Sequence, residues 1–419
     1  MIDDFRPAPR RTESLQENKN NLKVETEFKA PQEIAQAQAT TAFKAAPIVP
    51  DFTAFKAPAE PQGRIAKLKA LWPPTKKQVL VGSGVFLLLI VCCGVAFALT
   101  RQPAPVVTKP VVRVKKAPAP VVPTTVASNL SGLQIDPPLN SKPVIGVMVE
   151  NSLAARPQSG LSQAGVVYEA IAEGGITRFL ALYQETNPGE VGPIRSVRPY
   201  YLHWGMGFDA SIAHVGGSPE ALNGIKAWGT RDLDQFFNSG AYTRVASRQA
   251  PHNVYSNLDT FTQLAQAKGF GTSTFAPWLR KKDTLAPQVT AKSIDMAISS
   301  AQYNIHYDYD APTNSYRRSL AGAPHMDAAG NVQINPKVVI GLVTPFSIQA
   351  DGKHSEYGTI GSGQAYIFQD GILTIGTWNK PDIKSVMTFT DANGLALALN
   401  AGQTWLTAVA NPEKITSAP

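Results

Sequence analysis

Apolar residues change their rhythm several times along this chain, and each change predicts a different kind of segment. Residues 1–75 show no sustained apolar period and are rich in Ala, Pro, Gln, Glu and Lys, which predicts a disordered tail. From Val79 to Leu99 a 21-residue run, VLVGSGVFLLLIVCCGVAFAL, carries no charge and is bracketed by Lys76, Lys77 and Arg101. That length matches a bilayer core of about 30 Å and predicts one transmembrane helix. Prolines recur through residues 100–137, as in a semi-rigid polyproline spacer.

Compact patterns start near Pro138. The aliphatic run PVIGVMVEN (143–151) predicts a buried strand, and two strand-like runs flank Gly174 and Gly175, a hairpin signal. Ser196 is placed to cap a helix through Tyr200, Leu202 and Trp204, with Pro199 and Arg198 in its first turn. DASIAHVGGSPEALNGIKAWG reads as strand, Gly-Gly turn, Ser218 cap, Pro219 and helix. SNLDTFTQLAQAKGF predicts another helix, with Ser256 and Asp259 at capping-box spacing and Gly269 as its stop. From about Lys292 short β-branched and aromatic runs alternate with turn signals such as DAAGN and DANG. The expected fold is α+β: a layered, mixed α/β N-terminal part (138–285) and a β-rich C-terminal part (292–412), preceded by the disordered tail and the transmembrane helix.

Charge sharpens this division. Residues 1–127 hold 18 Lys/Arg against 9 Asp/Glu, whereas 128–419 hold 21 against 22. The folded region is therefore nearly neutral, which argues against nucleic acid as its partner. Lys and Arg tie at five within reach of each end of the apolar run. The two lysines abutting its start favour a cytoplasmic N-terminus and an extracytoplasmic C-terminal region. Both cysteines, Cys92 and Cys93, lie inside the run, so the folded region has no disulfide, cysteine nucleophile or Cys-ligated zinc. The tail repeats a Phe-Lys-Ala-Pro pattern (EFKAPQE, AFKAAPI, AFKAPAE), which fits either a multivalent docking motif for a cytoplasmic protein or plain low complexity.

Candidate chemistry gathers in loops. Arg195 and Arg198 beside a helix start suit an anion; so do Arg244, Arg248, His252 and Asn253 in TRVASRQAPHNVYS, with His214 at a strand end. Alternatively these arginines pair with Glu169, Glu173, Asp232 or Asp234 and fix the packing. APHNVY and APHMD echo each other, and if the loops meet, His252, His325 and Asp327 share one site. His306, Asp308 and Asp310 alternate on one strand face, which suits solvent better than a metal. No familiar serine-hydrolase, zincin, P-loop or penicillin-recognising signature is present, and no metal or cofactor is expected. Acid-base work by Glu169 or Glu173 with His214 or His252 stays open.

The strings MVENSLAARPQSGLSQAGVVYEAIAEGGITRFLALYQE, GPIRSVRPYY, AHVGGSPEAL and SRQAPHNVYS resemble the YerB-like family of bacterial envelope lipoproteins, as do YDYDAPTNSYRRSLAGAPHMD and GSGQAYIFQDGILTIGTWNK later on. The likeness covers roughly 139–411 and implies an exported two-part domain of uncharacterised function. It singles out Glu150, Asn151, Arg156, Glu169, Glu173, Arg178, Arg195, Ser196, Arg198, His214, Arg248, His252 and Asn253, and then Tyr316, Arg318, His325 and Asp327. A membrane helix and long tail stand where that family has a lipidated cysteine. Three readings follow: an envelope protein binding an anionic or glycan cell-wall ligand through Arg195, Arg198, His214, Arg248, His252, Asn253, Glu173, Arg178, His325 and Asp327; a hydrolase or transferase acting on such a polymer; or a membrane scaffold working through its tail.

Overall fold

The computed structural model describes residues 88–98 and 124–419. Residues 88–98 form a helix with exposed side chains, and among the described residues no helix is long and apolar enough to cross a membrane. The predicted span at 79–99 runs beyond the described residues on both sides, and the repeated tail and residues 100–123 of the linker lie outside them. The linker's end needs correction. Val126–Ala127 pairs with Gln134–Ile135, and Leu130 between them is 1% exposed in the main core, so folded chain begins before Pro138.

Strand β1 (Ile145–Glu150) is buried at every residue, as a strand covered on both faces must be. Strands β2 (Val166–Glu173) and β3 (Ile176–Tyr183) form the predicted hairpin. Gly174 and Gly175 take φ of +54° and +78°, a left-handed pair that makes glycine the fitting residue. Helix α1 (Pro199–Gly207) starts at Pro199, but its N-cap is Arg198 and no side chain caps it. Ser196 instead lies in extended chain: Val197 N donates to Gly216 O, holding the segment like an added strand.

Strand β4 (Ser211–Ala213) leads to α2 (Pro219–Trp228), whose Ser218 cap accepts from Ala221 N at 3.3 Å as expected. After β5 (Arg231–Asp232) comes α3 (Leu258–Ala267). Its cap is Asn257, which accepts from Thr260 N at 2.8 Å, one residue later than the Ser256 expected. The Ser256 hydroxyl is committed elsewhere, donating to Ala241 O at 2.6 Å.

The second part supplies β6 (Ser293–Met296), β7 (Ile305–Asp310), β8 (Ser315–Leu320), β9 (Ala323–Pro324), β10 (Val338–Val343), β11 (Gly361–Gln369), β12 (Ile372–Lys380), β13 (Thr388–Thr390), β14 (Thr404–Val409) and β15 (Ile415–Ala418). A ten-stranded sheet runs β13-β12-β11-β10-β14-β2-β3-β1-β4-β5, and a five-stranded sheet runs β9-β8-β7-β6-β15. The two sequence parts thus share one sheet, because β14 lies parallel between β10 and β2.

Layers cover both faces of the large sheet. Tyr200, Tyr201 and Trp204 of α1 pack with Leu180 and Ile212 on one face. Leu258, Phe261 and Ala265 of α3 pack with Val147, Val149 and Ala181 on the other. The five-stranded sheet closes the C-terminal half, where Ile294, Ile305 and Leu320 share a core with Ile340, Leu342 and Leu406. The result is the expected mixed α/β protein with a strand-rich C-terminal part.

Candidate functional site

Strands β1, β4 and β5 are mutually parallel, and their carboxyl ends bring Glu150, His214 and Asp232 to one edge. In sheets of this kind, the crevice beyond those ends is where ligands bind. The segment Ile194–Val197 is wedged there: Ile194 bridges to Val149 and Val197 to Gly217. Arg195 is fixed by its backbone, whose N–H donates to Met148 O at 2.9 Å and whose carbonyl accepts from Val215 N at 3.1 Å.

The Glu150 side chain is only 4% exposed and organises this edge. Its Oε2 lies 2.9 Å from His252 Nδ1 and 3.3 Å from Arg195 Nε, the latter close enough for an ion pair though not aligned as a hydrogen bond. An ionised carboxylate only accepts, so Nδ1 of His252 carries the proton and donates. His252 Nε2 and both Nη groups of Arg195 have no hydrogen-bond partner among the described residues, and each side chain is 25% exposed. A buried carboxylate therefore aims one imidazole and one guanidinium at solvent. The guanidinium binds an anionic oxygen, joined by His252 when its Nε2 is also protonated; with Nε2 unprotonated the histidine instead has the geometry of an oriented base.

The remaining predicted residues around this edge serve as its frame. Arg248 donates to Ala154 O and Pro157 O, both at 2.7 Å, and pins the loop after β1. Asn253 Oδ1 accepts from Arg244 at 2.9 Å. His214 is fully buried, with Nε2 against Asp232 at 2.9 Å and Nδ1 against Gly216 O at 2.8 Å, so neither nitrogen is left for a ligand. A pocket of about 290 Å³ opens at the opposite ends of β4 and β5, but its Arg231 is already paired with Asp209 at 2.8 Å.

Arg198 does not join Arg195. It turns to Glu173 at the hairpin tip, which also takes Arg178 at 2.6 Å, so the two nearly buried guanidiniums share one carboxylate. The second alternative read from the sequence, an internal ion pair, therefore holds for Arg198. His354 stands 3.7 Å from Glu173 and pairs with Asp351; nothing in its loop sequence marked it. Burial works to raise the Glu173 carboxyl, but Arg178 and Arg198 outweigh it and hold the group below its ordinary value.

His325 and Asp327 do not meet His252. Asp327 is spent on the backbone, accepting from Gly160 N at 2.8 Å and Ser162 N at 2.6 Å. His325 belongs to a closed ring of buried polar groups. Arg318 Nε donates to His325 Nδ1 (2.9 Å), and His325 Nε2 donates to Gln158 Oε1 (3.0 Å). Gln158 donates to Asn151 Oδ1 (2.9 Å), and Asn151 Nδ2 donates to Thr177 Oγ1 (2.7 Å). The Thr177 hydroxyl donates to Glu169 (3.3 Å), which closes the ring on Arg318 Nη2 (2.9 Å). Arg318 is the source of donors and Glu169 the sink, so the direction of each bond, and the tautomer of His325, are fixed. His306, Asp308 and Asp310 hold no shared site: His306 pairs with Asp295 and Asp308, while Asp310 pairs with Arg317.

Burial, reinforced by Arg318, drives the His325 imidazole well below its ordinary 6.5. The unfolded chain then binds the proton first, so stability falls as pH drops below about 6.5. Thermal unfolding across pH 5–7 should fall more steeply for the native chain than for His325→Asn, by up to about 1.4 kcal/mol per pH unit. Equal slopes would contradict a neutral His325.

Comparison with known proteins agrees with this architecture. Residues 130–271 match the N-terminal domain, and residues 294–406 the C-terminal domain, of a protein family of unknown function, DUF3048. A protein of Bacillus subtilis strain 168 named as the lipoprotein YerB is 29% identical over 285 residues, 67% of this chain and 85% of that one. The crystal structure of YerB from Bacillus subtilis superposes with a TM-score of 0.64 at 26% identity, covering 70% of this chain and all of that one. With both family domains present in order and the same fold beneath them, this chain belongs to the YerB-like family.

Proposed function

We propose that this is a single-pass, membrane-anchored extracytoplasmic protein that holds an anionic group of a cell-wall polymer between Arg195 and His252. The observation that carries the reading is the Glu150 carboxylate, which spends its own charge on orienting a guanidinium and an imidazole whose outward nitrogens no other group in the described protein occupies. The uncharged run at 79–99 supports anchoring, and the lipoprotein relative supports an envelope location. The near-neutral folded region suits a local anion site better than a broad basic face.

One observation favours a second reading. The Glu150–His252 pair leaves Nε2 as a potential proton acceptor beside a cation, which would serve hydrolysis or transfer on the same polymer.

The test is retention of the full chain, in detergent, on insoluble cell wall before and after removal of its anionic polymers. Arg195→Ala and His252→Ala should each weaken retention about tenfold or more, and polymer removal should abolish it. Retention indifferent to both changes would refute the binding site. Soluble fragments released by the native chain but not by His252→Ala would establish the second reading.

A further inference from the structure

A lysine, an asparagine and an aspartate close a triangle where the connector between the two sequence parts meets the strand-rich one. Arg280–Lys281 pairs in parallel with Leu399–Asn400, which sets Lys281 directly opposite Asn400. Lys281 Nζ donates to Asn400 Oδ1 at 2.5 Å and also to Asp370 Oδ2, and Asn400 Nδ2 donates to Asp370 Oδ1 at 2.7 Å. Asp370 sits in the tight turn between β11 and β12, and Asn314 Nδ2 steadies the same Oδ1 at 2.8 Å. Asn400 is fully buried and the Asp370 side chain is 7% exposed, whereas that of Lys281 keeps 31%.

A salt bridge needs only the amine and the carboxylate. Here a carboxamide touches both, its oxygen at the amine and its nitrogen at the carboxylate. That is an arrangement for acyl transfer: a nucleophile one bond away from a carbonyl carbon, and one carboxylate in contact with both the proton to be removed and the group to be expelled. Burial works to raise the Asp370 carboxyl, but Asn314, Lys281 and Asn400 outweigh it and hold the group below its ordinary value, so it is ionised and serves as the base. Burial of Asn400 also keeps away water, the competing nucleophile.

We propose that Lys281 and Asn400 join in an intramolecular isopeptide bond, with Asp370 carrying the protons. Asp370 Oδ2 takes one proton from Nζ, and the freed lone pair attacks Cγ of Asn400, whose C=O electron pair moves onto Oδ1. Asp370 then passes its proton to Nδ2 and takes the next one from Nζ. The carbonyl re-forms, the Cγ–Nδ2 bond breaks with its electron pair on nitrogen, and ammonia leaves, accepting the proton from Asp370 as ammonium. One C–N bond replaces another without an oxidant, and Asp370 ends ionised as it began. A bond made once per chain needs the uphill proton transfer only transiently. The product ties the connector to the segment that enters β14, across 119 residues. It supplies a covalent clamp to a folded region that has no cysteine, since Cys92 and Cys93 both precede it.

The test is intact mass spectrometry of the full chain purified in detergent, followed by tryptic digestion. The native chain should be lighter than its sequence requires by about 17 Da, one ammonia, and should yield a branched peptide joining the segments around Lys281 and Asn400. Lys281→Arg keeps a cation opposite Asp370 but has no amine to acylate, so it should show the full sequence mass, and so should Asp370→Asn. The native mass decides whether the bond exists, whatever the stability of the variants. A native chain at full sequence mass, with the two segments recovered as separate peptides, would overturn the bond. A loss of about 18 Da with the branch at Asp370 would mean that water had left, and would overturn Asn400 as the acceptor. A branched peptide that persists in Asp370→Asn would overturn Asp370 as the proton carrier.

Discussion

Arg318→Met should lower the unfolding free energy by about 3–5 kcal/mol, the largest single effect expected outside the hydrophobic core. Arg318 and Glu169 are both fully buried, one on β8 and the other on β2, so the pair joins the five-stranded sheet to the ten-stranded one. Methionine fills much of the volume but leaves a carboxylate facing Thr177 and Trp405 without its paired cation, and leaves His325 Nδ1 without a donor. Burial raises the Glu169 carboxyl even in the native protein, with Arg318, Trp405 and Thr177 opposing it. Without Arg318 the carboxyl must take up a proton or drag water inward. The double change Glu169→Leu with Arg318→Met should be less destabilising than Arg318→Met alone, because it removes the stranded charge. Denaturant unfolding of the two single variants and the double variant measures this directly. A double variant as unstable as the sum of the singles would contradict the ring as a coupled unit.

Glu173→Gln should be the second most damaging polar change, at about 1–3 kcal/mol, less than for Arg318 because the Glu173 side chain is 35% exposed. Two guanidiniums at 2% and 4% exposure would then face each other with only an amide between them, and their Nε atoms already lack partners. Phosphate or sulfate in the medium should recover part of the loss by taking the carboxylate's place, following the mass action of any ligand that binds only the folded state. The native protein should show the matching acid response. Glu173 titrates below its ordinary 4.5 when folded, so its stabilisation is complete above that value and is lost as pH falls through the lower, folded-state value. Melting temperatures of Glu173→Gln that ignore phosphate would mean the arginines are neutralised from elsewhere.

These two clusters mark the limit of what the chain discloses by itself. The hairpin at Gly174–Gly175 and the start of α2 at Ser218–Pro219 were legible because a turn or a cap is settled by three or four adjacent residues. The caps of α1 and α3 slipped by one or two positions: the hydroxyl of Ser256 had a better partner in Ala241, and Ser196 was drawn into the sheet. Glu169, Arg318 and His325 each stood out in the sequence, but their mutual pairing depends on β14 entering the sheet between β10 and β2. No local pattern foretells that insertion. The same holds for the edge of the sheet, where Glu150 and His252 meet across 102 residues. Arg195 and Arg198, three positions apart in the sequence, separate because extended chain sends one to Glu150 and the other to Glu173.

Six histidines offer the most direct reading of the proposed site. Ring nitrogens of the full chain in detergent can be followed by proton–nitrogen correlation spectroscopy during titration with a soluble anionic wall polymer, with assignments from single His replacements. The account predicts that the Nε2 resonance of His252 shifts progressively with polymer, while the buried His214 and His325 hold their signals and tautomers. A polymer that binds yet perturbs His354 beside Glu173, with His252 unmoved, would place the ligand at the hairpin tip and contradict the site at Arg195.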